Sequence, residues 1–87
     1  MGTEVLRSVK GGYNKADVMS KLDRMNIVLM AVKDGMRREE AIAELESIKE
    51  QELRREKSGL FGKTGFSVED TDAYLESLEQ MILEAVY

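Results

Sequence analysis

Histidine, cysteine, proline and tryptophan are all absent from this 87-residue chain. Without histidine it lacks the commonest general base, the commonest metal ligand and the ordinary pH switch. Without cysteine it has no disulfide staple and no thiolate metal site. Average usage would place about four prolines in a chain of this length, so their absence favours long uninterrupted helices. Aromatics make up 6% of the residues, and the net charge of -4 argues against a general nucleic-acid binder. No apolar run approaches the roughly 20 residues of a membrane-spanning helix. The N-terminus shows no apolar core of a signal peptide, so a cytoplasmic protein is expected.

What is present is charge and helix formers. Charged residues make up 34% of the chain, with abundant Leu, Met, Ala, Glu and Lys, a composition that reads as all-α. A single domain of this size buries only about 60 to 65% of its unfolded surface, which makes oligomerisation an inexpensive source of further burial. The chain also repeats itself. Gly12-Tyr13-Asn14-Lys15-Ala16-Asp17 returns 53 positions later as Gly65-Phe66-Ser67-Val68-Glu69-Asp70. Each copy reads as a helix entry: a glycine, an aromatic at N′, an Asn or Ser cap, and an aspartate at N3 that reaches back to the cap amide. Tyr13 with Val18, and Phe66 with Thr71, hold the spacing of a hydrophobic staple.

Behind each entry runs an apolar stripe in alternating steps of four and three, the pattern of a heptad seam. The first is Val18, Leu22, Met25, Leu29, Val32 and Met36; the second is Val68, Thr71, Leu75, Leu78, Ile82 and Ala85. Between them, residues 37–57 carry a narrower stripe of Ala41, Ile42, Leu45, Ile48 and Leu53. Asp34-Gly35 precedes this stretch and makes a helical hairpin the favoured reading over one long helix with a stutter. Glu50 to Lys57 is nearly all charged and is expected to extend the helix into solvent. The expected architecture is a single helical module of two or three helices over residues 1–87. Two related entry units, 11–36 and 64–87, are joined by a charged helix 37–57. Residues 1–11 read as irregular, with Val5, Leu6 and Val9 as a brief turn or strand. No stop signal follows Tyr87, which fits a natural chain that continues.

The motifs that could carry chemistry are weak. Gly59-Leu60-Phe61-Gly62-Lys63-Thr64 imitates the end of a phosphate-binding loop, but that motif needs glycine where Lys57 stands. Glu69-Asp70-Thr71-Asp72 lacks the alternating ligands and trailing Glu of a calcium loop, and reads as capping and dipole stabilisation. The basic residues Lys49, Arg54, Arg55, Lys57 and Lys63 alternate with Glu50, Glu52 and Glu56 and read as a solvated face with i,i+4 pairs. Six methionines either fill core gaps or offer an adaptable partner surface. Neither an enzyme nor a cofactor or metal site is expected.

Gly12-Tyr13-Asn14-Lys15-Ala16-Asp17-Val18, followed by Leu22-Asp23, resembles the N-terminal signature of the DivIVA family of bacterial cell-division and polarity proteins. Gly65-Phe66-Ser67-Val68-Glu69-Asp70-Thr71 is a weaker version, and the two copies span under half the chain. The resemblance implies a non-enzymatic scaffold that self-associates through coiled coils, touches membrane peripherally and recruits division or envelope proteins. The family's membrane contact places an aromatic beside a basic residue just before the Gly-Tyr. Lys10 and Gly11 stand there, so the aromatic is missing, and only Phe61 with Lys63 offers a substitute.

The expectation is therefore a coiled-coil module forming a homodimer or higher homo-oligomer. Tyr13 and Phe66 would fix the helix entries. Val18, Leu22, Met25, Leu29, Leu75, Leu78 and Ile82 would form the assembly interface. The alternative is a monomeric three-helix adaptor, or a small regulatory subunit, that binds a partner's helix in a groove.

Overall fold

The helix entries form through the residues that signal them. The computed structural model describes residues 6–59 and 62–87; Met1 to Val5, Leu60 and Phe61, which enter the sequence reading above, lie outside them. Helix α1 spans Lys15–Lys33 and helix α3 spans Val68–Val86. Asn14 Oδ1 accepts from the Asp17 amide at 2.9 Å, and Ser67 Oγ accepts from the Asp70 amide at 3.3 Å. Each cap satisfies one of the amides that a helix start leaves without an intrahelical partner.

Helix α1 stops at Gly35. The Met36 amide donates to the Ala31 carbonyl at 2.9 Å and the Gly35 amide to Val32 at 3.1 Å. That double return is a Schellman closure, and it needs the left-handed backbone that glycine adopts freely, here φ 106°. The chain then folds back into α2, Arg38–Lys49. Arg37 caps α2 with no side-chain hydrogen bond, while Glu39 and Glu40 sit in its first turn and favour the positive helix end.

Two strands and the course of residues 50–57 depart from the all-helical expectation. β1 (Ser8–Lys10) pairs antiparallel with β2 (Thr64–Phe66), with Ser8 opposite Phe66, Val9 opposite Gly65 and Lys10 opposite Thr64. The chain is mostly helical with a small two-stranded sheet. The charged helix expected over 37–57 ends at Lys49 with Glu50 as its cap, and residues 51–57 belong to no helix. They turn back along the head of the molecule, where Arg55 bridges Tyr13. The reason is long-range: the Arg54 carbonyl accepts from the Asn14 amide and the Glu56 amide donates to the Gly12 carbonyl, bonds that a solvated helix end could not make.

The core lies between the three helices. Val18, Leu22, Met25, Val28 and Val32 of α1 meet Leu78 and Ile82 of α3 and Ala41, Leu45 and Ile48 of α2, with Leu6 closing the head end. α1 and α3 run parallel: their starts meet at the Tyr13–Phe66 pairing, and Leu29, Lys33, Met81 and Ala85 share one groove near their far ends. α2 runs antiparallel to both. Its first residue, Arg38, stacks on Tyr87 at the end of α3, and its last, Lys49, reaches Glu79 mid-helix at 2.9 Å.

Candidate functional site

The head of the molecule is an exchange between the two halves of the chain. Tyr13 and Phe66 face each other across an antiparallel bridge and trade both backbone hydrogen bonds, at 2.8 and 2.9 Å. The Asn14 amide, which a capping box would satisfy from its own helix, donates to the Arg54 carbonyl at 2.7 Å. The Ser67 amide donates to the Arg7 carbonyl, also at 2.7 Å. Each cap amide is thus satisfied by the strand that leads into the other helix.

The aspartates follow the same rule. Asp17 does not reach back to its own cap. It accepts from the Arg54 amide at 3.0 Å and from the Arg54 guanidinium at 2.8 and 2.9 Å. Asp70 accepts from the Arg7 amide at 3.0 Å and from its guanidinium at 2.8 and 3.1 Å. Both are forked contacts, whose planar geometry fixes direction as well as charge. The Arg54 hydrogen bonds, from guanidinium and then backbone, hold the Asp17 carboxyl down at about 2, from an ordinary value of 3.8. Arg7 lowers Asp70 in the same way.

These contacts define a pseudo-twofold axis between Tyr13 and Phe66. Gly12 and Gly65 sit where the crossing chains touch. A Cβ on Gly12 would fall inside the Phe66 carbonyl, and one on Gly65 inside the Tyr13 carbonyl. Only glycine permits that approach.

From the sequence, Arg7 is passed over and Arg54 is taken only as one charge of a solvated face. A signal was present: Leu6-Arg7-Ser8-Val9-Lys10 returns as Leu53-Arg54-Arg55-Glu56-Lys57. The offset there is 47 positions, whereas the helix entries are 53 apart. The six additional residues of the second unit hide the longer repeat from a comparison at one offset.

The axis is broken by side chains. The Tyr13 hydroxyl donates to Asp72 Oδ1 at 3.0 Å, a bond Phe66 cannot make. Burial, and then this contact with a carboxylate, raises the Tyr13 hydroxyl above its ordinary value. Arg55 lies over the Tyr13 ring and Lys15 over the Phe66 ring. Buried Val18 has buried Thr71 as its counterpart.

The residues expected to form an interface between chains pack within one chain. Val18, Leu22, Met25, Leu78 and Ile82 are buried, while Tyr13, Leu29, Phe66 and Leu75 are half-buried against the same core. The buried stripe of α1 also departs from the heptad. Val28 is buried where Leu29 was expected, because α2 widens the covered arc of α1 beyond what a single partner helix would cover.

Three of the concave surfaces among the described residues stand out. One is a cleft lined by Lys21, Met25, Lys49, Leu75, Glu76 and Glu79 beside α2. Burial lowers the Lys21 ammonium within it, and its Nζ donates to the Gln51 carbonyl at 2.8 Å. A second, at Arg55, Glu56, Lys57 and Lys63, is lined by charged side chains of both signs. The third is the groove between α1 and α3 on the side away from α2, lined by Leu29, Lys33, Met81, Glu84 and Ala85.

Among the described residues no group of three or more His, Cys, Asp or Glu side chains could hold a metal ion. No helix there is long and apolar enough to cross a membrane. Comparison with protein-family models, with curated proteins and with solved structures finds no match to this chain.

Proposed function

We propose that this chain is a non-enzymatic interaction module, a monomeric three-helix adaptor that presents a surface to a partner protein. The observation that carries the reading is the fate of the apolar stripes. Leu22, Met25, Leu78 and Ile82, which would drive association between chains, are filled from within one chain. The parallel helix pair that two copies would form is already formed by the two halves of one. Apolar side chains remain outside that core, with Ile27, Met30 and Met81 exposed on the helices. Isolated exposed apolar residues are ordinary, but methionine on helix faces suits a surface that adapts to another protein.

A second reading is a self-associating scaffold of the DivIVA type. In it the module forms a homodimer or larger assembly in bacterial cell division or polar organisation, with contact to division or envelope proteins and peripheral membrane. The intertwined head favours it, since each unit is completed only by strands and arginines of another. Sedimentation equilibrium from low micromolar to near-millimolar chain separates the two. A mass of one chain at every concentration supports the adaptor. A dimer or larger species that grows with concentration refutes it and favours the scaffold.

A further inference from the structure

The pseudo-twofold axis that organises the head also relates the two sides of the α1–α3 pair, and the two sides are not used alike. On one side α2 is seated, burying Ala41, Leu45 and Ile48. The α1 residues beneath it, Val28 and Val32, are 3% and 9% exposed. Their counterparts on α3, shifted by 53 positions, are Met81 and Ala85. Met81 is 48% exposed and Ala85 is exposed too. They line the groove with Leu29, whose counterpart is the buried core residue Ile82. The same backbone surface is thus built twice, filled once by a helix of this chain and left open once.

We propose that the open groove between α1 and α3 is a docking site for an amphipathic helix of a partner protein, seated as α2 is seated on the opposite side. The inference rests on the adaptor reading and names its surface and its partner. The occupied groove defines the chemistry of the occupant. α2 places apolar residues at i, i+4 and i+7 (Ala41, Leu45 and Ile48) and runs antiparallel to both helices that hold it. A helix with that spacing and direction fits the open side.

Two differences tune the preference. Ala85 replaces Val32, so the groove has more room near the end of α1, and the occupant carries a larger aliphatic where α2 has Ala41. Met81 replaces Val28 and supplies a flexible thioether that can repack around that residue. Lys33 and Glu84 stand at the rim, where a docked helix leaves charges solvated and their pairing sets register more than affinity.

The probe is a fluorescent, side-chain-stapled helical peptide with the sequence of residues 37–50, titrated into the full chain by anisotropy. Stapling removes the cost of ordering so short a helix. Saturable binding is expected. Ala85→Arg and Met81→Asp, at exposed and half-exposed positions and checked by circular dichroism to be folded, weaken it at least about tenfold. Met19→Asp, which lies outside the groove lining, leaves it unchanged. In amide correlation spectra the peptide shifts Leu29, Met81 and Ala85, and leaves Leu45 and Ile48 of α2 in place.

No binding by the folded chain overturns the inference while the adaptor reading stands. Shifts confined to Leu45 and Ile48 also overturn it, because the peptide then merely exchanges with α2. If the chain alone forms a dimer that Ala85→Arg dissolves, the groove is covered by a second copy. That outcome refutes the partner helix, and the sedimentation result refutes the adaptor reading separately.

Discussion

Replacing Thr71 by valine should stabilise this protein. Thr71 is fully buried in the first turn of α3, and its Oγ1 finds no hydrogen-bond partner among the described residues. A hydroxyl taken from water without a new partner costs about 1 to 3 kcal/mol. The site can accept an apolar branch, because its counterpart across the pseudo-twofold axis is Val18, also fully buried. Valine keeps the branched shape of threonine and exchanges the hydroxyl for a methyl, so no cavity opens and little overpacking results. Part of the penalty is recoverable in the native protein, since a threonine in a helix can bend its hydroxyl toward the carbonyl four residues back. Discounting for that leaves a gain of about 1 kcal/mol for Thr71→Val. For a domain of this size that is a rise in Tm of about 4 to 8 °C. The assay is reversible thermal unfolding followed by circular dichroism, with urea unfolding to check that the midpoint moves while the slope does not. The reciprocal change, Val18→Thr, places an orphan hydroxyl at the matched site and should lower stability by about 1 to 3 kcal/mol. If Thr71→Val lowers the midpoint or leaves it in place, Oγ1 is hydrogen-bonded in solution and the reasoning fails.

Two further perturbations test the head. Gly65→Ala forces a Cβ into the Tyr13 carbonyl, a backbone clash that no rotamer relieves, and should destabilise by on the order of 3 kcal/mol; unaltered urea unfolding would rule out the close crossing. Asp17 and Asp70 both titrate below their ordinary value in the folded state. Their contribution is therefore complete above the unfolded value near 3.8 and is lost as pH falls below it, for Asp17 toward about 2. The urea midpoint should fall steeply across that interval in the native chain and less steeply in the Asp17→Asn, Asp70→Asn double variant; equal slopes would show that the clamps do not form.

Much of the helical part is legible in the sequence because its determinants are local. Asn14 and Ser67 announce their caps by residue type and position. Gly35 announces the end of α1, although only the return bonds from Met36 and Gly35 decide that the chain folds back. The apolar stripes identify Val18, Leu22, Met25, Leu78 and Ile82 as buried, yet periodicity does not say whether the covering surface is another chain or another part of the same one. The strands are barely legible: Val9 belongs to a stretch that reads as a brief turn or strand, and nothing announces β2. β1 and β2 hold three residues each, and their ladder joins residues more than fifty positions apart, so no window of neighbours carries the signal. Arg54 misleads for the same reason. Surrounded by Glu50, Glu52 and Glu56, it looks like one charge of a solvated helix face. Its partner is Asp17, reached only because the chain leaves the helical conformation after Lys49.

The asymmetry of the fold matters more to function than its symmetry. Two identical units paired about an axis must present the same residues on both sides, so any groove filled on one side must be filled or open on both. Joining the units in one chain removes that constraint. α2, the connection between them, can cover only one side, and the residues beneath it are free to stay aliphatic, as Val28 and Val32 are. The counterparts Met81 and Ala85 are freed from the core and exposed to selection for something else. The same division runs through the head, where Tyr13 keeps a hydroxyl bonded to Asp72 and Phe66 has none. Where the symmetry is kept, at Gly12 with Gly65 and at the two Arg–Asp clamps, the residues are those that the crossing itself requires. Where it is broken, the changed residues lie under α2, across from it, or on the Tyr13 side of the head. Substitutions at conserved-symmetry positions should therefore register as losses of stability. Those at Met81 and Ala85 should leave stability nearly unchanged and register only when a partner is present.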